Sequence, residues 1–544
     1  MTDKIIKEAT TLANPDGLDE FRRELTPEER IQRHYEEKLH EFQKRPGYDH
    51  IWLSDKEFAT KLWIIAYSKD KGTMTFTGRM FRPGFINVLN QMGFYKRENG
   101  SGGYIFIKAQ NNVIEEVSPA AMKSEFFERH FAESEPLGVG YRGILMEVQP
   151  EKLADCFLRQ SHLIFNSTFL EHLPTHNKKI LRDDRRTAYF PYRNGIVTAT
   201  EHGHRIVKYS DLREVCVWRD HIIDRDFEAT DPAGSHYERF IHNVCNNEDD
   251  RIRALRSALG YLLHNYSEPS KGQVVIFYDE TPAKRGQPGG GRGKGLAVNG
   301  PKQIRNTAKI DGKKFDDSDR FRWQTITRQT QVLWIDDVHR NFDFEVLHSC
   351  STDGMNIEQK HRDEFFISAE DSPKIVIASN TVLANEGTTN KRRQFIIEFS
   401  DHYSRHIKNG TEEPIRDEHG CMFFTDDWDE AEWKKFDTFM IRCVQSYLLE
   451  GLQPYEFKNL KRNQLLQNTS EDFAEWADNQ QLSTGNEYNN SALFVDFRDT
   501  YYGPDSDLKQ RTFTKWMKRL AGINGWETEI KRSNGNSIIT FYES

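Results

Sequence analysis

The chain has 544 residues, a formal net charge of −9, and 37% hydrophobic and 12% aromatic residues. This composition excludes a disordered protein, and the length predicts three or four domains. The apolar runs are too short to span a bilayer and the N-terminus lacks a signal-peptide core, so we expect a soluble, cytoplasmic protein with no membrane partner. Six widely spaced cysteines without a CxxC pair favour reduced, buried thiols over a disulfide framework or a zinc site.

The first predicted domain covers residues 1–117. After a charge-rich helical stretch, residues 58–67 predict a second helix or a strand, and residues 82–92 predict a helix. Residues 94–107 predict two strands around an Asn-Gly turn. A helix followed by a hairpin is typical of a small winged-helix-like module, and a structural cap is the alternative.

Residues 118–240 form a second predicted segment of mixed α/β structure, in which residues 187–198 predict a strand, a turn and a strand. No catalytic constellation stands out in this segment. Residues 249–263 then carry apolar side chains on one helical face and predict a helix. This helix leads towards an apolar strand at residues 274–277.

A glycine-rich, basic loop follows that strand and ends in the sequence QPGGGRGKG at Gly295. In the phosphate-loop pattern, backbone N–H groups and a lysine hold nucleotide phosphates, and a following Ser or Thr binds Mg²⁺. This chain departs from the pattern, because Pro288 replaces the first glycine and Gly295 replaces the hydroxyl residue; a flexible turn is the alternative. The predicted cofactor-binding residues are Gly290, Gly291, Arg292, Gly293, Lys294 and Gly295.

Two later apolar runs end in polar side chains. Residues 332–335 lead into Asp336 and Asp337, and residues 374–379 lead into Asn380. If both runs are parallel strands, these side chains reach the carboxyl edge of one sheet. There Asp336 would bind Mg²⁺, Asp337 would orient or polarise the attacking water, and Asn380 would sense the γ-phosphate. Ordinary core strands that end in polar turns are the alternative.

A basic segment, Asn390-Lys-Arg-Arg393, precedes the strand-like residues 395–399. A guanidinium from Arg393 or Arg392 could reach a neighbouring subunit's nucleotide as an arginine finger and stabilise charge on the transferred phosphoryl group. The alternative is a solvated basic turn.

The order and spacing of these motifs between residues 287 and 393 resemble the superfamily 3 helicases. With a glycine directly after Lys294, the loop is similar to that of the poxvirus-type primase-helicases and their phage and plasmid relatives, some of which also carry glycine there. The resemblance implies an α/β fold with an AAA+-like P-loop ATPase core and a parallel sheet at residues 241–450. A helical collar and a mixed N-terminal region would precede this core, and a winged-helix-like C-terminal domain would follow it.

The resemblance also implies ATP and Mg²⁺ as cofactors, and a homo-oligomeric ring, expected to be a hexamer, that acts on single-stranded and forked DNA. A loop between the acidic strand and the sensor strand would grip single-stranded DNA. Here that loop falls at residues 353–362, with Lys360, His361 and Arg362 as candidate contacts; a basic surface loop is the alternative. Because no carboxylate set for nucleotide polymerisation precedes residue 240, a primase would be a separate chain or lost.

Residues 464–544 form the last predicted domain. Residues 492–497 and 512–520 predict helices, and residues 526–541 predict a hairpin. This order is typical of a winged helix, with Lys515, Lys518 and Arg519 suited to duplex DNA. Solvated helix faces are the alternative.

We therefore expect an ATP-dependent DNA helicase of phage or plasmid-type replication that translocates on single-stranded DNA as a ring. Two alternatives stay open. One is a nucleotide-gated ATPase switch in origin recognition or anti-phage defence, and the other is a non-enzymatic DNA-binding scaffold with a degenerate ATPase fold.

Overall fold

The computed structural model describes most of the chain from residue 57 onward. The described residues are 57–99, 103–132, 136–141, 144–268, 272–281, 291–338, 342, 344–360, 364–380, 392–408, 410, 412–457, 460–533 and 536–543, together with 30, 33, 34, 36, 37 and 40. The chain divides into two compact units, residues 1–110 with 114–177 and residues 111–113 with 178–544. This division passes through the predicted 118–240 segment, and the four predicted domains remain a proposal.

The first unit packs strands and helices around aromatic side chains. The strands β1, β2 and β3 form an antiparallel sheet, and β4 pairs with β5 as the predicted hairpin. Residues 58–67, predicted as a helix or a strand, form parts of β1 and β2, whereas the helix predicted at residues 82–92 is confirmed. The elements are β1 (Glu57–Ala59), β2 (Trp63–Ser68), β3 (Thr73–Met80), α1 (Arg82–Gln91), β4 (Phe94–Glu98), β5 (Tyr104–Gln110), β6 (Val113–Glu116), α2 (Pro119–Phe127), β7 (Leu137–Tyr141), β8 (Ile144–Val148), α3 (Pro150–Gln160) and α4 (Ser167–Leu170), with a π-helical turn at Glu128–Ala132 and a 3-10 turn at Ser161–Leu163.

The second unit begins with short strands and continues into alternating strands and helices. Its elements up to residue 450 are β9 (Lys179–Ile180), β10 (Thr187–Tyr192), β11 (Gly195–Thr200), β12 (Gly203–Val207), β13 (Val215–Trp218), α5 (His236–Val244), α6 (Asp249–Leu263), β14 (Val274–Asp279), α7 (Lys294–Lys302), β15 (Thr307–Asp311), β16 (Val332–Asp336), α8 (Glu345–Thr352), β17 (Met355–Ile357), β18 (Phe365–Ile367), β19 (Lys374–Ala378), β20 (Gln394–Phe399), α9 (His402–Lys408), α10 (Pro414–His419) and α11 (Glu430–Glu450), with 3-10 turns at Tyr209–Asp211 and Arg219–His221. The predicted strand pair at residues 187–198 and the predicted helix at residues 249–263 are confirmed.

A five-stranded parallel sheet forms the centre of this unit. Its strand order is β15-β16-β19-β14-β20, and every neighbouring pair is parallel. All residues of β14 and β19 are buried, as expected for strands that are covered on both faces. The order places the Asn380 strand, β19, between the strand that precedes the glycine-rich loop and the strand that ends at Asp336. The four apolar runs predicted as strands are therefore confirmed, and three of them deliver polar residues to one edge.

The last part of the second unit has its own apolar core. The strands β21, β23 and β22 form an antiparallel sheet in that order, and Phe473, Phe497 and Phe513 are fully buried beside it. The predicted helices and hairpin are confirmed. The elements are α12 (Leu460–Asn468), α13 (Glu471–Asn479), β21 (Glu487–Asn489), α14 (Asn490–Tyr501), α15 (Gln510–Asn524), β22 (Trp526–Ser533) and β23 (Asn536–Glu543).

Two sequence-based expectations concern cysteines and membrane spans. All six cysteines lie in the described part of the chain as thiols outside any disulfide, and five of them are buried while Cys156 is half-buried. In the described part of the chain, the helices are too short or too polar to cross a bilayer.

Candidate functional site

The glycine-rich loop runs into α7, whose first residue is Lys294. Gly291 and Gly293 have positive φ angles of 73° and 96°, a region that glycine adopts without the steric cost of a β-carbon. A β-carbon on Gly293 would also lie 2.7 Å from the ring of Phe240. Both the backbone and the packing therefore require glycine immediately before the helix. Gly290 lies outside the described residues.

Lys294 lies at the centre of the site with its ammonium group bonded to two side chains. The side chain is 8% exposed, and Nζ donates to Asp279 Oδ1 and, at 2.8 Å, to Asn380 Oδ1. Asp279 is the buried last residue of β14. Burial lowers the pKa of Lys294, and the neighbouring Asp279 carboxylate opposes this shift. The lysine is therefore held in place at the carboxyl edge of the sheet.

Arg292 is a second buried cation beside the same carboxylate. The side chain is 7% exposed, and Nε lies 3.9 Å from Asp279 Oδ1. Its Nη1 atom is buried and has no hydrogen-bond partner among the described residues. An unpaired buried polar group is unfavourable, and two cations here share one carboxylate. This end of the loop is therefore suited to an anion.

Asn380 connects Lys294 to the paired acids. Its Nδ2 atom donates to Asp337 Oδ1 at 3.2 Å, while its Oδ1 atom accepts from Lys294. Asp337 has a φ of 55° and donates its backbone N–H to Ala378 at 2.8 Å. The positive φ turns the chain just after β16. Lys294, Asn380 and Asp337 thus lie in contact at the carboxyl edge of the sheet.

Asp336 and Asp337 are both partly exposed, and each is paired with a lysine. Asp336 Oδ2 lies 2.7 Å from Lys309 Nζ, and Asp337 pairs with Lys313. Carboxylate oxygens are the ligands that Mg²⁺ prefers, and this ion usually takes only one or two of them while it keeps waters and phosphate oxygens. Asp336 therefore fits the predicted magnesium role, although no cluster of three or more potential ligand side chains occurs within the described ranges.

Gly295 is the second residue of α7, where the phosphate-loop pattern has a hydroxyl. A β-carbon at this position would lie 3.7 Å from the nearest atom of the Trp334 ring, which is an ordinary van der Waals contact. The backbone is helical here, so neither strain nor crowding requires a glycine. The structure would therefore accept a serine at position 295, and nothing in the packing explains why the hydroxyl is missing.

Arg392 and Arg393 lie at the opposite edge of the sheet. Val274, the first residue of β14, donates its N–H to the carbonyl of Arg393 at 2.8 Å. From there β14 and β20 run side by side in parallel and end at Asp279 and Phe399. The arginines therefore precede the amino ends of the strands, whereas Lys294 lies at the carboxyl ends. The structure does not bring them together with the other predicted site residues of the same chain.

The predicted DNA loop lies in a β-hairpin formed by β17 and β18. Lys360 is exposed and its Nζ lies 5.8 Å from the ring centre of Phe321. Arg320 donates to Glu358, which begins the turn of the same hairpin, at 2.6 Å. His361 and Arg362 lie outside the described residues.

The C-terminal candidates share one face of α15. Phe513 and Met517 are buried on its other face. The predicted contacts Lys515, Lys518 and Arg519 are exposed.

Asp279 is the site residue that the sequence analysis missed. The apolar run from Val274 ends in this acid, just as the run from Val332 ends in Asp336. The same argument about the carboxyl edge of a parallel sheet would have found it.

No protein-family model matches the chain, and no curated protein matches it. Among solved structures, the chain is similar to an A-form apo structure of the NrS-1 C-terminal region at 12% identity, with a TM-score of 0.38 and coverage of 85% of this chain and 98% of that one. Another apo structure of this region, residues 305–718, gives 11% identity, a TM-score of 0.37 and the same coverage. A JCV helicase structure bound to a thiazolopyridine compound gives 12% identity and a TM-score of 0.23 over 49% of this chain and 66% of the other. These similarities are low-scoring, and none of them assigns the chain to a family.

Proposed function

We propose that this chain is an ATP-dependent DNA helicase with an AAA+-like P-loop core of the superfamily 3 type. The observation that carries the proposal is the pair of buried cations, Lys294 and Arg292, that share Asp279 at the start of α7. A triphosphate would neutralise this surplus charge and supply an acceptor for Arg292 Nη1. The backbone N–H groups in the first turn of a helix also favour phosphate, because they carry a partial positive charge and point towards the ligand.

The site residues divide the work of phosphoryl transfer. Lys294 would neutralise the β and γ oxygens, and Asp336 would hold Mg²⁺, which would offset phosphate charge when bound. Asp337 orients the attacking water, and the hydrogen bond from Asn380 keeps this carboxylate in position relative to Lys294. The hydrogen-bonded order from Lys294 through Asn380 to Asp337 supports this assignment.

Arg393, or Arg392, would act on the nucleotide of a neighbouring copy. The position of these residues at the amino edge of the sheet supports an action between chains rather than within one. A ring of identical copies repeats such a contact at every interface, and a hexamer is the expectation from the resemblance.

The DNA contacts would come from two exposed basic surfaces. In the ring, the β17–β18 hairpin with Lys360, His361 and Arg362 would follow one strand. A winged-helix-like C-terminal domain with Lys515, Lys518 and Arg519 would contact duplex DNA at a fork. A separate primase would supply primers.

The test compares the native chain with Lys294→Ala and with Lys302→Ala, which alters an exposed lysine at the other end of α7. ATP turnover is measured with and without single-stranded DNA, and strand displacement is measured on a forked substrate. We expect DNA-stimulated turnover and displacement in the native chain, a loss of roughly 100-fold or more in Lys294→Ala, and native behaviour in Lys302→Ala.

Two other outcomes identify the alternatives. Turnover without displacement would favour a nucleotide-gated switch. A native chain that binds DNA but hydrolyses no ATP would contradict the helicase proposal and favour a scaffold.

A further inference from the structure

The contact between Asp279 and Lys294 has no place in the phosphoryl-transfer roles described above. Asp279 is 6% exposed and accepts from the ammonium group of Lys294. It also pairs with Arg292, whose Nε lies 3.9 Å away. One buried anion therefore balances both cations of the glycine-rich loop.

A carboxylate and a phosphate offer these cations the same kind of partner. Both present anionic oxygens that accept charge-assisted hydrogen bonds. If phosphate oxygens joined Asp279 around Lys294, two negative groups would lie within the distance at which like charges disfavour each other. The carboxylate and the nucleotide therefore compete for the same ammonium group.

Asn380 provides the lysine with a second anchor that does not carry a charge. Its Oδ1 accepts from Lys294 at 2.8 Å, and its amide nitrogen is tied to Asp337. Lys294 could thus release Asp279 without losing its position. The exchange changes the anion that the lysine faces and leaves the lysine at the sheet edge.

We propose that Asp279 is the resting counter-ion of the nucleotide site, which holds Lys294 and Arg292 in the empty state and yields both cations to incoming phosphates. This inference rests on the proposed nucleotide-binding function. Asp279 is a positioning residue that acts through Lys294, and its charge lowers the affinity for phosphate-bearing ligands.

Glu280 provides a matched control. It follows Asp279 directly in the chain but accepts from Arg251 at 2.9 Å, and Arg251 is fully buried. Removal of its charge alters the same short segment without freeing Lys294. Any effect that belongs to the loss of a nearby negative charge in general would appear in both variants.

The test measures the dissociation constants of ATP and adenosine for the full-length native chain, Asp279→Asn and Glu280→Gln, in EDTA so that no metal contributes. Asparagine keeps the shape and an acceptor oxygen but removes the charge. We expect Asp279→Asn to bind ATP roughly tenfold more tightly. Glu280→Gln should stay near the native value, and adenosine, which has no phosphate, should show no gain with either variant.

The outcomes separate this inference from the proposed function. If the native chain binds ATP and Asp279→Asn binds it equally or more weakly, or if Glu280→Gln gains as much, the resting counter-ion is contradicted and the nucleotide site stands. If only Asp279→Asn binds ATP, the inference is supported. If neither binds, both proposals fail. A thermal melt checks folding, and Asp279→Ser replaces Asp279→Asn if the latter does not fold.

Discussion

The side-chain amide of Asn380 donates to the carboxylate of Asp337 at 3.2 Å, and its oxygen accepts from Lys294. This one side chain, which follows β19, thus joins the residue that follows β16 to the first residue of α7. The link depends on the strand order, because β19 lies between β14 and β16.

Replacement of Asn380 by alanine should break this link. We expect turnover at saturating ATP to fall about 10- to 100-fold with a smaller change in KM, because Asp337 loses its orientation while Lys294 still contacts the phosphates. Asn380→Asp should be more harmful, since it places a second negative charge beside Asp337. Steady-state ATPase kinetics without DNA provide the measurement, with Asn356→Ala, at an exposed position of β17, as the control. Native kinetics in Asn380→Ala would contradict the role of the link.

Gly295→Ser should be tolerated and should strengthen the use of Mg²⁺. The added β-carbon meets Trp334 at an ordinary distance, and a hydroxyl at this position is the one that binds Mg²⁺ in phosphate loops. We expect half-maximal turnover at a lower Mg²⁺ concentration, measured by titration at fixed ATP. The matched variant Gly293→Ser should instead lower stability by about 1 kcal/mol or more, because of its positive φ and the contact with Phe240. An unchanged Mg²⁺ titration in Gly295→Ser would contradict this prediction.

Lys360→Ala should weaken binding of single-stranded DNA. Loss of one phosphate contact reduces the slope of log K against log salt by about 0.7. We expect this smaller slope when binding of a labelled oligonucleotide is measured by fluorescence anisotropy at several salt concentrations. ATP turnover without DNA should be unchanged. Lys302→Ala should keep the native slope. The hairpin would have no role in DNA binding if the two variants had the same slope.

Charge reversal on α15 should act on duplex DNA. Lys515 and Lys518 are exposed opposite the buried Phe513 and Met517, so Lys515→Glu with Lys518→Glu should leave the fold intact. We expect the affinity for duplex DNA to fall by roughly tenfold or more at low salt. Lys461→Glu, an exposed change on α12, is the control, and an equal loss in both variants would indicate a general effect of net charge.

His419 should make stability depend on pH. It is buried, its Nε2 lies 2.8 Å from the Tyr403 hydroxyl, and burial lowers its pKa from 6.5 to about 4. The unfolded chain therefore binds this proton at a higher pH than the folded chain does. The contribution is complete above pH 6.5 and is lost as the pH falls towards about 4.

The thermal unfolding midpoint tests this dependence. Between about pH 7 and about pH 5, the midpoint of the native chain should fall more than that of His419→Gln. His202→Gln, at an exposed position, should follow the native chain. Parallel curves for the native chain and His419→Gln would contradict the prediction.

The strand β15 was not predicted, because the exposed Lys309 interrupts its apolar pattern. The other four strands of the parallel sheet could be predicted because each is a short apolar run followed by polar residues. Asp336, Asp337 and Asn380 were found in this way, since the carboxyl edge of a parallel sheet follows from chain direction. Chain direction could also have placed Arg393 at the amino edge, because this residue comes directly before its strand. The segment of residues 58–67 was ambiguous between helix and strand because a short apolar run has no decisive period.

The partners of Lys294 could not be predicted from local pattern. Asp279 precedes the glycine-rich loop and Asn380 ends a distant strand, so their contacts with the lysine depend on how three strands are ordered. Sequence spacing contains no information on that order. It also gave no sign that Arg292 would be buried with a nitrogen that has no partner in the described part of the chain.

The register of β14 with β20 has a kinetic consequence. Six paired residues separate the amino edge from Asp279, a length of about 17 Å at the usual rise per residue. An arginine at position 393 therefore cannot serve the phosphates held by its own Lys294, and hydrolysis that needs both residues requires two molecules. Turnover per chain should then rise with protein concentration, and a mixture of Lys294→Ala and Arg393→Ala chains should recover activity that neither has alone.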